Sequence, residues 1–274
     1  MKQPSVSVVI PAYNAQSTIA RALQSVANQS FRVTEVIVVD DASTDNTIET
    51  VAEYSKNSTV AIRLLLSGRN AGPGSARNRG WDSSNCDYIT FLDADDVWHP
   101  RKIEIQVREM ERNSSFSMSC HERIVSVSHI FPKIDDSIAL TRELSLNDFI
   151  VKNRCSTPTV MVRRTVNERY KNEKRHAEDY LLWMEIIANH GNALFIRSPL
   201  TSCTNPIYGG AGLSGSFTAM QLGELDAFRT LRQRGQLSLG KFLMATTWSS
   251  LKFVIRLADH YIFRGLRQTV SESK

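Results

Sequence analysis

The stretch Tyr88-Ile89-Thr90-Phe91-Leu92 is apolar or β-branched, and it runs directly into Asp93-Ala94-Asp95-Asp96, three carboxylates within four positions. The first part suits a buried strand. Unpaired charges cannot stay in such a core, so the acids must emerge at its edge. Clustered carboxylates repel one another unless water, a basic group or a cation intervenes. A hard divalent cation carrying phosphate oxygens would use such a cluster. An acidic loop that merely caps the helix after Pro100 would use it too. Two further acidic pairs stand at comparable places. Asp40-Asp41 follows the apolar run Glu35 to Val39, and Glu178-Asp179 opens the apolar segment Tyr180-Leu181-Leu182-Trp183-Met184. Carboxylates at a helix start are favoured by the helix dipole, so the last pair also has a plain capping explanation.

These acids need elements to position them. Residues 5–10 predict a first strand, stopped by Pro11-Ala12-Tyr13-Asn14. Ser17 or Thr18 then caps a helix with Ile19, Ala22, Leu23 and Val26 on one face. Strands follow at Glu35 to Val39, Val60 to Leu66 and Asp87 to Leu92, with a helix through about Tyr54 between the first two. Strand–helix alternation predicts βα units and a mostly parallel central sheet flanked by helices, an α/β fold. Ligands of such sheets sit beyond the carboxyl ends of the strands, where three of these four strands end in polar sequence.

The Gly68–Gly80 segment contains Gly72-Pro73-Gly74 and Arg77, residues suited to close backbone approach and to phosphate. It imitates a dinucleotide fingerprint. However, Arg77 replaces the third glycine and the loop follows the third strand, which argues against a dehydrogenase. Later segments predict a helix to about Arg112, strands at Ser115 to Cys120, Ile124 to Ile130 and Thr159 to Val162, and a helix at Ser145 to Lys152. Arg163, Arg164, Arg169, Lys171, Lys174 and Arg175 read as a basic, solvated loop, and Tyr208 to Gly215 as a glycine-rich loop.

The 274 residues are 42% hydrophobic and 22% charged, ordinary for a globular chain with a sizeable core. Lys and Arg number 33 against 28 Asp and Glu, and the excess lies from Gln221 onward, where nine basic residues meet four acidic. A local basic surface of that kind excludes a nucleic-acid-binding chain as the reading of the whole. The four cysteines stand apart with no Cys-x-x-Cys pair, and no charged-then-apolar leader opens the sequence. Both features predict a reduced, cytoplasmic protein. No run reaches the roughly 18 apolar residues of a membrane span. The chain reads as helical from Phe217 to its end, with Trp248, Leu251, Ile255, Ala258 and Ile262 on one face. That face would either pack on the main domain or lie on an anionic membrane surface.

Five segments now stand in order: Val8 to Asn14, Val38 to Asp45, Asn70 to Asn78, Phe91 to Asp96, and Glu178-Asp179 before a Trp-bearing apolar helix. Together they resemble family 2 glycosyltransferases of the GT-A fold, inverting enzymes of the bacterial surface-polysaccharide type, over roughly residues 4–190. The resemblance implies a nucleotide-sugar-binding GT-A domain over 1–215; the helical, basic amphipathic C-terminal region over 216–274 carries no motif of the family. It implies that Pro11, Tyr13 and Asp41 line the nucleotide pocket, with Asp41 accepting from the base and Asp40 supporting the loop. Asn70 and Arg77 would border base and ribose. Asp93 and Asp95 would hold Mg²⁺ or Mn²⁺ on the diphosphate, with Asp93 also touching ribose. Asp179, or else Glu178, would be the catalytic base.

The implied reaction moves a sugar from a nucleoside-diphosphate sugar, expected to be a UDP-sugar, to a hydroxyl of a growing glycan. That glycan would be lipid-linked and destined for cell-surface polysaccharide or lipopolysaccharide. The enzyme would be a metal-dependent hexosyltransferase on the inner face of the cytoplasmic membrane. A nucleotidyltransferase of related architecture is an alternative, but it would want a glycine-rich loop directly after the first strand, where Pro11-Ala12-Tyr13-Asn14 stands. A non-catalytic protein that kept the fold is a third reading, and the intact carboxylates oppose it.

Overall fold

The computed structural model describes residues 3–126, 128–133, 140–172, 174, 176–204 and 216–271, with side chains as far as Asp259. The first half is built from β1 (Val6–Ala12), α1 (Ile19–Ala27), β2 (Glu35–Asp40), α2 (Thr47–Lys56), β3 (Ile62–Leu66), α3 (Pro73–Asp82) and β4 (Tyr88–Phe91). The four strands are parallel, in the order β3-β2-β1-β4. β1 and β4 are buried at every position, which accounts for their unbroken apolar sequence. Register aligns their carboxyl ends: Ala12 lies opposite Asp40, Asp40 opposite Leu66, and Val9 opposite Phe91. The residues after β1, β2 and β4 therefore share one rim.

Helix α1 turns Ile19, Ala22, Leu23 and Val26 inward, the face its spacing predicts. Helix α3 packs so closely that a Cβ on Gly80 would lie 2.4 Å from Val9 Cγ1, so only glycine fits there. Trp81, beside it, meets Phe91 edge-on.

The second half of the sheet is mixed. β8 (Met161–Arg163) runs antiparallel to β4, β6 (Met118–Val125) antiparallel to β8, and β9 (Ala193–Cys203) parallel to β6. β5 (Val97–Trp98) and β7 (Thr141–Leu144) both pair antiparallel with β9. The mostly parallel sheet expected from the sequence is thus continuous over β1–β4, with one further parallel pair, β6 and β9, in the second half. The two strands expected between Ser115 and Ile130 are one strand, with a register break at His121–Arg123. Pro199 of β9 faces that break opposite Glu122, which is how a proline is accommodated inside a sheet and why β9 does not read as a strand.

Helices α4 (Lys102–Arg112), α5 (Leu146–Val151) and α6 (Glu178–His190) complete the domain. Ser145 and Asp148 form a reciprocal capping box at the start of α5. Helix α6 buries Tyr180 through Ile187, and its Trp183 packs among Phe91 and Tyr170. The C-terminal stretch is two helices, α7 (Phe217–Gln233) and α8 (Leu239–Ser271), parted at Gly235, whose φ of +76° suits glycine. Ala227, Phe228 and Leu231 of α7 and Ala245 of α8 join the core built around Trp183. The amphipathic face of α8 is not its packing face. Trp248, Leu251 and Ile255 are 42%, 50% and 52% exposed, while Ala245 and Ser249 are buried. Ile262 and the glycine-rich segment 208–215 lie outside the residues whose side chains are described.

Two sequence expectations need correction. Cys120 and Cys155 form a disulfide, because β6 and the segment after α5 meet across 35 residues of sequence; Cys86 and Cys203 are free and buried. The basic segment after β8 is not simply solvated. Arg163 donates to the Met110 and Phe116 carbonyls, Arg164 to Asn85, Arg169 to Asp82, and Lys174 to Asp226 and the Gly223 carbonyl. These cations close gaps between elements.

Candidate active site

The rim after β1 and β2 is laced by short polar side chains. Asn14 Oδ1 accepts from the Thr44 amide at 2.8 Å, and Ser43 Oγ accepts from the Asn14 amide at 3.0 Å. Asp40 folds its own turn by accepting from the Ser43 amide at 3.0 Å. Asp41 reaches further: its two oxygens accept from the Ala71 and Gly72 amides at 3.0 and 2.7 Å. The acid expected at the base of a nucleotide therefore clamps the Asn70–Gly72 loop against β2, and each oxygen keeps a second lone pair for a ligand. Gly72 has φ +90°, Ala42 φ +63° and Asn14 φ +49°. Left-handed backbone at a non-glycine costs on the order of 1 kcal/mol or more and collects at functional sites.

At the end of β4, Asp93 Oδ1 accepts from Arg77 Nη2 at 2.7 Å. Arg77 Nη1 lies 3.4 Å from Glu178 Oε1, and the guanidinium sits over the Tyr170 ring at 5.3 Å. Arg77 is buried, and the carboxylates around it hold its pKa above the ordinary range against the cost of that burial. It lines the cavity between two acids, each of which it touches. Asp96 is buried and accepts from Cys203 Sγ at 3.1 Å; burial, with Asp93 and Asp95 beside it, pushes its pKa up to about 8. Asp96 lines the cavity with Asp93 and Asp95 and is the most buried of the three.

The donor set suits a hard cation. Three carboxylates stand together, and Arg77 pairs with one of them. Among the described residues no three His, Cys, Asp or Glu side chains converge as a complete ion site. Two carboxylates completed by diphosphate oxygens are what Mg²⁺ or Mn²⁺ takes in a nucleotide site.

The second acidic pair faces the first across the cavity. It starts α6 after Ala177, whose φ is +54°. Asp179 Oδ1 accepts from the Tyr180 amide at 2.7 Å, and its Oδ2 lies 3.5 Å from Thr157 Oγ1. Burial first, and then Asp179, push the Glu178 carboxyl up to about 7, with Arg77 working against both. Burial likewise raises Asp179, again opposed by Arg77. Raised carboxyls of this kind suit a general base working near neutrality.

One cavity of about 1460 Å³ is lined by Pro11, Tyr13, Asp41, Asn70, Arg77, Asp93, Asp95, Glu178 and Asp179, so residues spread over 169 positions of sequence meet. Tyr13 and Asn70 are exposed on its mouth and Pro11 is buried in its wall. Arg123, whose charge acts on Asp96, and Thr157, on Asp179, line it too. Neither carries a signal in its own stretch of sequence, because each arrives through strand pairing and loop packing in the second half.

Residues 7–171 match the family model described as "Glycosyl transferase family 2". The chain is 31% identical over 185 residues, 68% of its length and 70% of the relative's, to the Escherichia coli protein named UDP-Glc:alpha-D-GlcNAc-diphosphoundecaprenol beta-1,3-glucosyltransferase WfgD. It is 30% identical over 187 residues to the putative teichuronic acid biosynthesis glycosyltransferase TuaG of Bacillus subtilis, covering 68% of this chain and 73% of that one. In fold it is similar to S. aureus TarS (residues 1–349), with a TM-score of 0.66 at 21% identity over 88% of this chain and 71% of that one. It is also similar to the mannosyltransferase PcManGT of Pyrobaculum calidifontis, solved with GDP-Man and Mn²⁺, with a TM-score of 0.67 at 17% identity over 95% and 76%.

Proposed function

The chain belongs to glycosyl transferase family 2, and from that premise we propose that it transfers a sugar, with inversion, from a UDP-sugar to a hydroxyl of a lipid-linked glycan of the cell surface. The observation that carries this reading is the single cavity in which Asp93 and Asp95 face Glu178 and Asp179, with Arg77 between them. The names of the Escherichia coli and Bacillus subtilis relatives support a surface-glycan role, and the first supports a UDP-sugar donor and a lipid diphosphate acceptor.

In this reading Tyr13, Asp41 and Asn70 hold the nucleotide, and Pro11 shapes the pocket wall. Asp93 and Asp95 would hold a divalent cation, which would supply Lewis-acid stabilisation to the departing diphosphate. Asp179 takes the acceptor hydroxyl proton as that oxygen forms its bond to the anomeric carbon. The bond from that carbon to the diphosphate breaks on the opposite face, and the nucleoside diphosphate leaves. Asp179 is favoured over Glu178 because Glu178 already leans on Arg77, whereas the side-chain partner of Asp179 is a neutral hydroxyl.

The exposed apolar side of α8 and the basic excess after Gln221 support peripheral contact with an anionic membrane. Among the described residues no helix is long and apolar enough to cross one.

The test is turnover of a nucleotide-sugar panel by purified protein, with Mn²⁺ or Mg²⁺ and again after EDTA. Transfer is expected to need the metal, to release nucleoside diphosphate, and to fall by about 10²-fold or more in Asp95→Ala and Asp179→Asn. Full activity in both variants would remove the mechanism. Release of pyrophosphate would point to a nucleotidyltransferase.

A further inference from the structure

The cavity does not end at Glu178 and Asp179. It continues between the segment after α5 and helix α8, where Lys152, Arg154, Lys252 and Arg256 line it together with Trp248 and Ile255. We infer that this far end binds the phosphate-bearing stem of an amphiphilic acceptor, a sugar joined through a phosphate or diphosphate to a hydrocarbon chain. The inference rests on the glycosyltransferase reading and assigns to its acceptor's phosphate a site of its own in the cavity.

Charge supports a phosphate ligand. Glu224 meets Lys252 at 3.1 Å and Arg256 at 3.9 Å, which offsets part of their charge. Lys152 and Arg154 are exposed, and neither has a side-chain hydrogen bond or ion pair among the described residues, although the charge of Arg154 also acts on Asp148. Two such cations at one end of a cavity whose other end is acidic suit an anion, because charge-assisted contacts to phosphate oxygens are the strong ones. A neutral glycan would have no use for them.

Placement supports the acceptor and not the donor. Lys152 and Arg154 precede Thr157 on one segment, and Thr157 contacts Asp179. A sugar whose hydroxyl reaches Asp179 would thus hold its attached group near Lys152 and Arg154. That segment is built to stay in place. Cys155 is joined to Cys120, and the Pro158 carbonyl accepts from Trp98 Nε1 at 2.8 Å and Thr201 Oγ1 at 3.1 Å. The apolar wall supports the hydrocarbon. Trp248 Nε1 and Lys252 Nζ both donate to the Val151 carbonyl, at 3.1 and 3.0 Å, fixing α8 to the end of α5. This sets Trp248 and Ile255 beside the cations, and the exposed Leu251 and Val254 continue the apolar surface outward along α8.

The experiment titrates the full chain, with UDP in excess to fill the donor end, against farnesyl diphosphate, farnesol and inorganic pyrophosphate, read by calorimetry. Farnesyl diphosphate is expected to bind at least about tenfold more tightly than either fragment. The double variant Lys152→Gln/Arg154→Gln should weaken it about tenfold, and Arg154→Lys should keep most of the affinity. Wild-type affinity in the double variant, or pyrophosphate binding as tightly as farnesyl diphosphate, overturns the proposal. Donor turnover is measured separately. Intact turnover without farnesyl diphosphate binding removes this site and leaves the glycosyltransferase reading, whereas binding without turnover from any donor sinks that reading alone.

Discussion

Arg77 joins the two acidic clusters of the cavity through a single guanidinium, with one nitrogen on Asp93 and another toward Glu178. Its charge opposes the rise of the Glu178–Asp179 pair, since burial pushes both carboxyls up, with Asp179 adding to Glu178 and Asp93 adding to both. The consequence for rate follows from the sign. A base works only when ionised, and burial holds the Asp179 carboxyl above its ordinary range, as it does that of Glu178. Activity is therefore lost as pH falls through that raised range and is full above it. We expect kcat/KM to rise with pH and then level off. Arg77→Gln should move that rise to higher pH as well as lower its plateau, because the cation that favours the ionised pair is gone. A pH–rate profile of both proteins measures this, and an unshifted profile in the variant would remove Arg77 from its positioning role.

Two helices show how elements hold the site. Helix α3 brings Arg77 inward because Gly80, one turn on, lets it approach β1 and β2. Helix α7 fixes the other cluster. A Cβ on Gly223 would lie 2.6 Å from the His176 carbonyl oxygen, and Lys174 Nζ donates to the Gly223 carbonyl at 2.8 Å. The strained Ala177 and the acids after it are therefore propped from behind by a helix with no chemistry of its own. The two glycines predict different failures. Gly80→Ala overpacks the sheet and should cost about 1–3 kcal/mol of stability, read in thermal unfolding. Gly223→Ala must displace the His176–Ala177 backbone, so it should lower kcat about tenfold or more with donor affinity kept. Unchanged kcat in Gly223→Ala would mean α7 does not position the acids.

On the scale of the whole molecule, the C-terminal helices are divided in task. Helix α7 and the start of α8 complete the core around Trp183, while the rest of α8 turns Leu243, Leu251 and Val254 outward, 50–60% exposed. Apolar side chains left in water beside basic ones are what a bilayer interface would cover. Flotation with phosphatidylglycerol vesicles at low salt should recover the wild-type chain and far less of Leu243→Gln/Leu251→Gln/Val254→Gln. Neutral vesicles should recover less of either. Equal recovery of variant and wild type would take α8 off the membrane.

How much of this could be read from the chain depends on how local the signal is. Each βα unit of the first half writes its own period, and each ends in its own polar punctuation, so β1–β4, the Asp41 turn, Asp93-Ala94-Asp95 and Glu178-Asp179 are legible in their own stretches. The second half is held by pairings between distant residues. β9 hides a proline in a register break, β5 and β7 are too short to show a period, and the basic segment from Arg163 to Lys174 looks solvated until its partners are seen. The amino-acid sequence by itself determined the family, and it marked the acids that meet in the cavity. Tertiary structure alone decided that Arg77 bridges them and that Asp41 clamps a loop. It also brought Thr157, Lys152 and Arg154 to the same cavity, because contacts across 20 to 100 residues of chain depend on packing and leave no trace in local spacing.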